Sequence, residues 1–482
     1  MQLVKSTTPK KINGLYLKPA ALSVFFVAFF SVISGTVILA QDNSPYTRYG
    51  IGDLVPSTNI NTRGMGGISA AYIDNYGLSI NFNNPASYSH FIAAKEAKSN
   101  KVTSGRAILD IGMNFESRTL REQNNPTKFV ASNALFSHVQ VGVPLKKNWG
   151  MSFGLRPVSR ISYKIAQRER LFDPGTGLPI DSAYTEYTGD GGSYLASIGT
   201  GFKVFNKQTA KGEDKQSLSI GFNGGYLFGK KDYSTRRTLI NDTVEYYRGN
   251  FENRTTFGNL YFNAGLVYRK MLNEPKRQFL TIGAYGNWGQ KLNGRQDIIR
   301  ETYFVDATQG NLQLDSVSIK SDIKGTIDYP VSYTIGFTYE KEAQPKEAGW
   351  LIGVDFSQQN WADYRFYGQP DLVANKWELR VGTQLRPVPK RNYFSNVAYR
   401  AGFFIGPDYV KIDKKLPVFG ATLGLGLPLA QSRQAPGQAT VINMAFEFIK
   451  RGNNDNLLKE NLFRFSLGFS LSDVWFVKRK YD

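Results

Sequence analysis

Two histidines, His90 and His138, are the whole imidazole inventory of this 482-residue chain, and it has no cysteine. That excludes a thiolate nucleophile, a thiolate metal site, a disulfide and a lipidated N-terminal cysteine. His138 reads as sharing a strand face with Phe136 and Gln140. A hydrolase built on it would need a serine and an acid alongside, and the sequence shows no partner for it. The glycines of Gly224-Gly225-Tyr226-Leu227-Phe228-Gly229-Lys230-Lys231 are spaced somewhat like a phosphate loop, but no Ser or Thr follows the lysine and the stretch falls within a strand. Gly64, Gly66 and Gly67 could offer amides to an anion, yet a glycine-rich hinge is the better reading. Asp173-Pro174-Gly175-Thr176-Gly177 reads as an external turn, with nothing to support calcium. What remains is paired charge. Glu378, Arg380, Glu447 and Arg464 occupy polar positions of alternating segments, where ion pairs inside an enclosed lumen explain them better than a ligand does. No metal, no cofactor and no enzymatic activity are expected.

The elements that carry these charges are strands. After Gly105 the chain alternates with the period of a strand having two different faces. From Leu462 to Leu471, Phe463, Phe465, Leu467, Phe469 and Leu471 share one side while Arg464, Ser466, Gly468 and Ser470 share the other. Trp377, Leu379, Val381 and Leu385 likewise oppose Glu378, Arg380, Gln384 and Arg386. Charge in mid-strand suits an enclosed polar lumen with apolar residues facing lipid, the arrangement of a membrane barrel. Aromatic residues at 14%, 47 glycines and a mean hydropathy of only −0.33 agree with such two-faced strands. About fourteen segments recur between residues 105 and 476, an even number as a bacterial barrel requires. The expected fold is therefore all-β: a transmembrane antiparallel β-barrel of about fourteen strands.

Four lysines precede an apolar run from Ala20 to Leu39, and Ala40 stands before Gln41. Residues 1–40 read as a secretory signal peptide. Residues 41–103 lack any sustained period and read as an N-terminal plug or hatch, residues 104–476 as the barrel, and residues 477–482 as a periplasmic basic tail. Within the hatch the organising stretch is Ile80 to Ser89, INFNNPASYS. Its Asn81, Asn83 and Asn84 tolerate left-handed backbone and Pro85 presets the following φ, so a compact turn is expected there. Together with Phe82 and Ala86, these residues and the three glycines form the candidate gate.

With the N-terminus in the periplasm, the connections after even-numbered segments are periplasmic and short, and those after odd-numbered segments are external and longer, the longest running from Ala166 to Gly192. The hairpins Lys230 to Asn253 and Gln290 to Ser316 exceed the ~9–11 residues needed to cross a bilayer and should project outside. Trp149, Trp288, Trp350, Trp361, Trp377 and Trp475 fall at segment ends, as interfacial girdles do. A formal charge of +20 scattered over strands and turns, without a binding motif, argues against nucleic acid and for outer-membrane lipid or lipopolysaccharide surfaces.

Arg63-Gly64-Met65-Gly66-Gly67-Ile68-Ser69-Ala70-Ala71, followed by Phe82-Asn83-Asn84-Pro85-Ala86-Ser87, resembles the hatch of the FadL/TodX family of outer-membrane transport proteins, in a form like that of Bacteroidetes members. A weaker likeness runs through Gly353-Val354-Asp355-Phe356, Trp377 to Gly382, and Tyr399 to Phe403. The resemblance implies a multi-pass protein of the Gram-negative outer membrane. It implies passive uptake of a hydrophobic, fatty-acid-like ligand through a hatch-gated barrel. It also implies an alternative, because some FadL-like barrels serve as non-enzymatic subunits of outer-membrane protein secretion or assembly complexes and bind envelope proteins. Two features depart from the transporters: the opening Ser44 to Leu54, SPYTRYGIGDL, and the residues that follow Phe476.

Overall fold

The computed structural model describes residues 44–475 except 96–101, 124, 211, 242–245, 307, 309, 413 and 430–437. The signal peptide and its cleavage near Ala40, Phe476 and the basic tail lie outside the described residues.

Fourteen antiparallel strands close into a barrel. They are β1 (Val102–Glu122), β2 (Lys128–Lys146), β3 (Trp149–Phe172), β4 (Pro179–Gln208), β5 (Asp214–Ile240) and β6 (Arg248–Asn273). The seventh, β7, runs as Gln278–Asn287 and resumes as Gln290–Asp306, and β8 runs as Gly310–Tyr329 and Ser332–Lys341. The remainder are β9 (Gly349–Gln359), β10 (Lys376–Arg386), β11 (Ala398–Lys411), β12 (Lys415–Pro428), β13 (Ala439–Arg451) and β14 (Leu458–Trp475). Each corresponds to one segment of the sequence reading. Closure is made by β14 on β1, from Leu458↔Glu122 to Trp475↔Gly105. Because the side-chain period is two, this register puts Arg464, Ser466 and Ser470 inside and leaves Phe463 and Phe469 outside.

The lower end of the barrel carries the start of β1, the end of β14 and the short turns after the even strands. Its other end is uneven. Strands β3 to β6 are 24, 30, 27 and 26 residues long, whereas β9 and β10 have 11 each. Eleven residues suffice to cross a bilayer. The first group, with β7 and β8, therefore rises as a one-sided crest above the upper rim. This corrects the expected long loop from Ala166 to Gly192, which is strand, joined through a turn at 173–178 and paired from Ala166↔Glu186 to Phe172↔Pro179. Antiparallel pairing continues through the stretch, so the chain extends its ladder rather than leaving it. Asymmetry between the ends thus resides in strand length, not in loop length.

Three further expectations are corrected. A register shift between Gly112 and Met113 leaves Ser137 as an extra residue on β2, a β-bulge. It turns Phe136 outward while both Ser137 and His138 point in, so Phe136 and His138 do not share a face. Trp361 belongs to no girdle: it is 2% exposed, packed at 4.6 Å centroid distance on Tyr409 beneath the upper mouth. Trp149, Trp288 and Trp377 do face outward. Finally, Ser44, the first described residue, sits buried at the upper end near Glu460, the opposite end from that expected for the N-terminus. The chain descends through the lumen and enters β1 from below, so strand parity is preserved.

Candidate functional site

Residues 44–92 occupy the lumen. Their upper portion, Ser44 to Leu54, is the SPYTRYGIGDL stretch, and it is tied to the wall on several sides. Asp53 and Leu54 pair as a short strand with Arg160 and Ser159 of β3, at the level where the β2–β3 ladder has stopped. The Asp53 carboxylate receives Arg118 Nη2 at 2.6 Å and Arg451 Nη1 at 3.1 Å. Those two guanidiniums also hold Glu460, at 2.8 and 3.3 Å, and Arg451 Nε meets Asp408 at 2.9 Å. Burial alone would raise the Asp53 pKa, but Arg118 and then Arg451 outweigh it and hold the carboxyl well below its ordinary value. Gly50 is clasped through its amide by Asp371 (2.8 Å) and through its carbonyl by Lys231 (2.8 Å).

Below this, Asn59 caps the one-turn helix Ile60–Arg63 by accepting the Thr62 amide at 3.0 Å. The helix delivers Arg63 to a site surrounded by neutral acceptors. Its guanidinium donates to Thr58 O and Pro56 O within the plug. To the wall it donates to Asn114 Oδ1 of β1 at 2.6 Å and Ser137 Oγ of β2 at 2.8 Å. The bulge on β2 is what turns Ser137 inward for this bond. Ser137 Oγ also lies 3.1 Å from His138 Nδ1, and His138 Nε2 lies 3.4 Å from Asp110 Oδ1. This chain of serine, histidine and acid superficially resembles a hydrolytic triad. Its serine oxygen is occupied by Arg63, however, and none of the three residues lines the central cavity.

Of the glycines predicted as a hinge, Gly64 and Gly66 are points of close approach, and Gly67 has only ordinary contacts, the nearest at 3.7 Å. A Cβ at Gly66 would stand 2.7 Å from Val381 O and 2.8 Å from Phe403 O, and one at Gly64 2.8 Å from Gly424 Cα. Gly66 and Gly67 also have φ of +67° and +81°, a region that favours glycine. The wall answers in kind. A Cβ at Gly150, Gly201, Gly221, Gly265, Gly283, Gly382, Gly402 or Gly424 would fall within 3.0 Å of plug atoms, backbone atoms among them at every position but Gly265, which meets the Asn84 and Pro85 side chains. These glycines stand on β3, β4, β5, β6, β7, β10, β11 and β12, and on all but β6 the plug's main chain lies directly on the wall.

The INFNNPASYS stretch lies in the lower half of this belt. None of its asparagines has positive φ, correcting the expected left-handed turn. They act through their amides instead. Asn81 Nδ2 donates to Ser69 O (2.6 Å) and Tyr72 O (2.9 Å), and Asn84 Nδ2 to Ala70 O (2.6 Å) and Leu266 O (3.2 Å). Asn84 Oδ1 caps the 3-10 helix Pro85–His90 by accepting the Ala86 amide, with Pro85 at its first position. Asn83 reaches Ser57 Oγ at 3.4 Å and its carbonyl accepts from Asn263; the Phe82 ring lies 5.2 Å from that of His138. Asparagine thus satisfies backbone groups that an irregular segment buried in a lumen cannot pair by itself. At the helix end, burial, with Lys203 and Arg269 adding to it, pushes His90 well below its ordinary pKa.

The four predicted lumen charges all face inward. Arg464 bridges Glu116 (2.6 Å) and Glu447 (3.2 Å) across three strands, and Glu378 holds Arg380 (2.5 Å) and Lys376 (3.1 Å). These pairs brace the wall, and only Arg380 also reaches the plug, at Gly67 O (3.4 Å). Sequence reasoning missed Asp53, Arg63, Arg118, Asp355 and Arg451. Asp355 accepts the Ser69 and Ala70 amides at 2.6 and 2.8 Å. Its position in the inward phase of the β9 alternation was the available signal. Between plug and upper wall remains a cavity of ≈ 240 Å³. Arg63, Arg118, Arg156, Lys376, Arg380, Arg451 and Arg464 line it with Asp53, Glu378, Asp408, Glu447 and Glu460, beside Leu195, Leu227, Tyr261 and Trp361.

A closed barrel of fourteen antiparallel strands filled by its own N-terminal segment defines a FadL-like outer-membrane barrel. The fold is similar to that of a Pseudomonas aeruginosa FadL homologue, with a TM-score of 0.50 at 13% identity over 89% of this chain and 100% of that one. The Pseudomonas putida toluene transporter TodX aligns at 0.49 and 13%, over 87% and 99%. No curated protein matches the chain in sequence. Over residues 22–482 it matches the BamG family profile, and the chain belongs to the BamG family.

Proposed function

We propose that this protein is a non-enzymatic barrel subunit of an outer-membrane protein secretion or assembly complex, one that anchors partner proteins and carries no cargo through its lumen. The observation that supports this most is the seating of the plug, main chain against wall glycines on seven strands and the Asn84 and Pro85 side chains against an eighth. Ion pairs fix it from above and Arg63 from the middle. Passive uptake of an apolar compound needs an apolar path, and small-molecule pockets run to about 300–1,000 Å³. The central cavity of ≈ 240 Å³ falls below that range and is rich in charge. Membership of the BamG family is in keeping with this reading. The crest supplies a surface for partners: its β7–β8 arm carries Val317, 72% exposed, and Ile319, 54% exposed, where no membrane covers them.

The second reading is hatch-gated uptake of hydrophobic compounds, with Asn81 to Ala86 as the gate. It is favoured by the FadL-like fold and by the aromatic side of the cavity, where Tyr261, Tyr329 and Trp361 meet. The two separate in one preparation. Full-length protein extracted in mild detergent is assayed for co-purifying envelope proteins, and the same material is reconstituted for uptake of a fluorescent fatty acid. Stoichiometric partners with no uptake support the subunit; a solitary barrel that transports the tracer overturns it.

A further inference from the structure

The lower rim between β2 and β4 holds a groove that neither reading uses. The turn from β2 to β3 brings Lys146 and Lys147 beside Trp149, and across the sheet Trp149 pairs with Phe202. These residues, with Asn148, Lys203, Asn206 and Gln208, enclose ≈ 680 Å³. Lys203 is neutralised by Asp214 at 2.5 Å, an acid that Asn206 also binds at 2.7 Å. Lys146 and Lys147 have no carboxylate partner among the described residues, and Lys146 Nζ lies over the Trp149 ring at 5.3 Å. The indole is itself fixed, its Nε1 donating to Thr200 Oγ1 at 2.6 Å. Immediately above, Phe153 and Ile198 pair on the outward face, 43% and 56% exposed. From below upward, the order is unpaired ammonium, anchored aromatic, apolar wall.

The geometry points to a binding site for one anionic phospholipid, its phosphate between Lys146 and Lys147 and an acyl chain along Trp149, Phe202, Phe153 and Ile198. A free phosphate would share the cationic end but has no use for the apolar wall. A zwitterionic lipid would share the wall but would bring its own ammonium to two lysines that lack a counter-charge. Indole and phenyl rings at the headgroup level with lysines just beyond are the chemistry that places a lipid at a barrel's interface. An exposed lysine near an anionic lipid surface contributes about fivefold in affinity. The pair should therefore favour phosphatidylglycerol over phosphatidylcholine by roughly an order of magnitude or more.

The test reconstitutes the full-length protein in bilayers containing brominated phosphatidylglycerol or brominated phosphatidylcholine, whose bromines quench only indoles in contact with the chains. The part of the quenching due to Trp149 is the difference between the wild type and Trp149→Phe. That part should be larger with the brominated anionic lipid at equal mole fraction. In Lys146→Gln/Lys147→Gln the preference should vanish while quenching by brominated phosphatidylcholine stays unchanged. Should the double variant fail the heat-modifiable gel shift of a folded barrel, the single Lys146→Gln and Lys147→Gln variants should each lose part of the preference. Equal quenching by the two lipids in the wild type, or a preference that survives loss of the lysines, overturns the assignment. So does abolition of the preference by ~10 mM inorganic phosphate, which would mark a phosphate site without chain recognition.

Discussion

Arg63 is the residue at which the seated plug can be tested most directly. Its guanidinium makes two short bonds to the wall, to Asn114 and Ser137, and three to plug carbonyls. Hydrogen bonds from a charged donor contribute about 1.5–3 kcal/mol each, so the two wall bonds together contribute about 3–6 kcal/mol. In Arg63→Met the loss is moderated twice over. Ser466 Oγ still donates to Asn114 Oδ1 at 3.0 Å and Ser137 Oγ still has His138, so neither wall group is stranded. The replacement also removes the burial cost of a cation that touches no carboxylate. The lower end, about 3 kcal/mol, is therefore the expectation, a factor of roughly 10² in the local opening equilibrium. Hydrogen exchange of the amides from Asn59 to Gly67, in reconstituted protein, reads that equilibrium. Protection there should fall by about two powers of ten, while the Gly50 to Leu54 amides, held by Asp371 and the β3 pairing, should not change. Arg63→Lys should fall between, because one ammonium cannot reproduce the fork. Unchanged protection in Arg63→Met would mean that the plug is held by shape alone and that the bonds to Asn114 and Ser137 contribute nothing.

Gly402→Ala should lower the melting temperature and loosen Met65 to Gly67, because its Cβ would meet the backbone of Met65 and Gly66. Gly224→Ala, whose Cβ meets only Phe262 and Phe222 ring atoms at 3.4 Å and beyond, should leave both unchanged, and differential scanning calorimetry separates the two. Asp355→Ala should raise amide exchange selectively at Ser69 and Ala70, its two partners. Asp53 has a folded pKa below its ordinary value of 3.8, so its contribution is fully present above that value and is lost as pH falls through the folded one. Protection from Tyr46 to Leu54, taken relative to the intrinsic exchange rate at each pH, should therefore be constant from pH 7 to 5 and fall steeply only on further acidification, and in Asp53→Asn that acid step should be absent. Val317→Ser with Ile319→Ser should leave the barrel's gel shift intact and reduce the yield of co-purifying partners.

The barrel was legible because its signal repeats: fourteen stretches of period two, each with charge or glycine opposite aromatic residues, identify strands and face together. The crest was legible at β5 to β8 but not at β3 and β4. There the Gly175-containing turn and the Gly189-Asp190-Gly191-Gly192 run mimic loop composition inside a continuous ladder. The bulge at Ser137 could not be read, since a one-residue slip depends on what the neighbouring strand does opposite it. The plug was harder for a related reason. Its glycines and asparagines were visible, but their composition fits a mobile hinge and a tight-packed seat equally well. Only the wall glycines opposite them, up to 360 residues away in sequence, decide between the two.

That decision bears on the proposed subunit role. A hatch that opens must leave the wall at a tolerable cost, which calls for side-chain contacts that water can replace. Here the contact is main chain on main chain at seven strands, and each separation would expose backbone already lodged where no side chain fits. The wall ladder parts above Leu155 between β2 and β3, and the parting is bordered by the plug's own Asp53–Leu54 strand. The sequence stretch least typical of the fatty-acid transporters, SPYTRYGIGDL, is thus the stretch that occupies the upper mouth and reaches that parting. The charges beside it are exhausted on one another, with Asp53 and Glu460 both shared by Arg118 and Arg451. On the proposed subunit reading, a lumen filled in this way makes the outer surfaces the places where the protein acts: the crest above the membrane, the lipid-facing wall, and the basic lower rim.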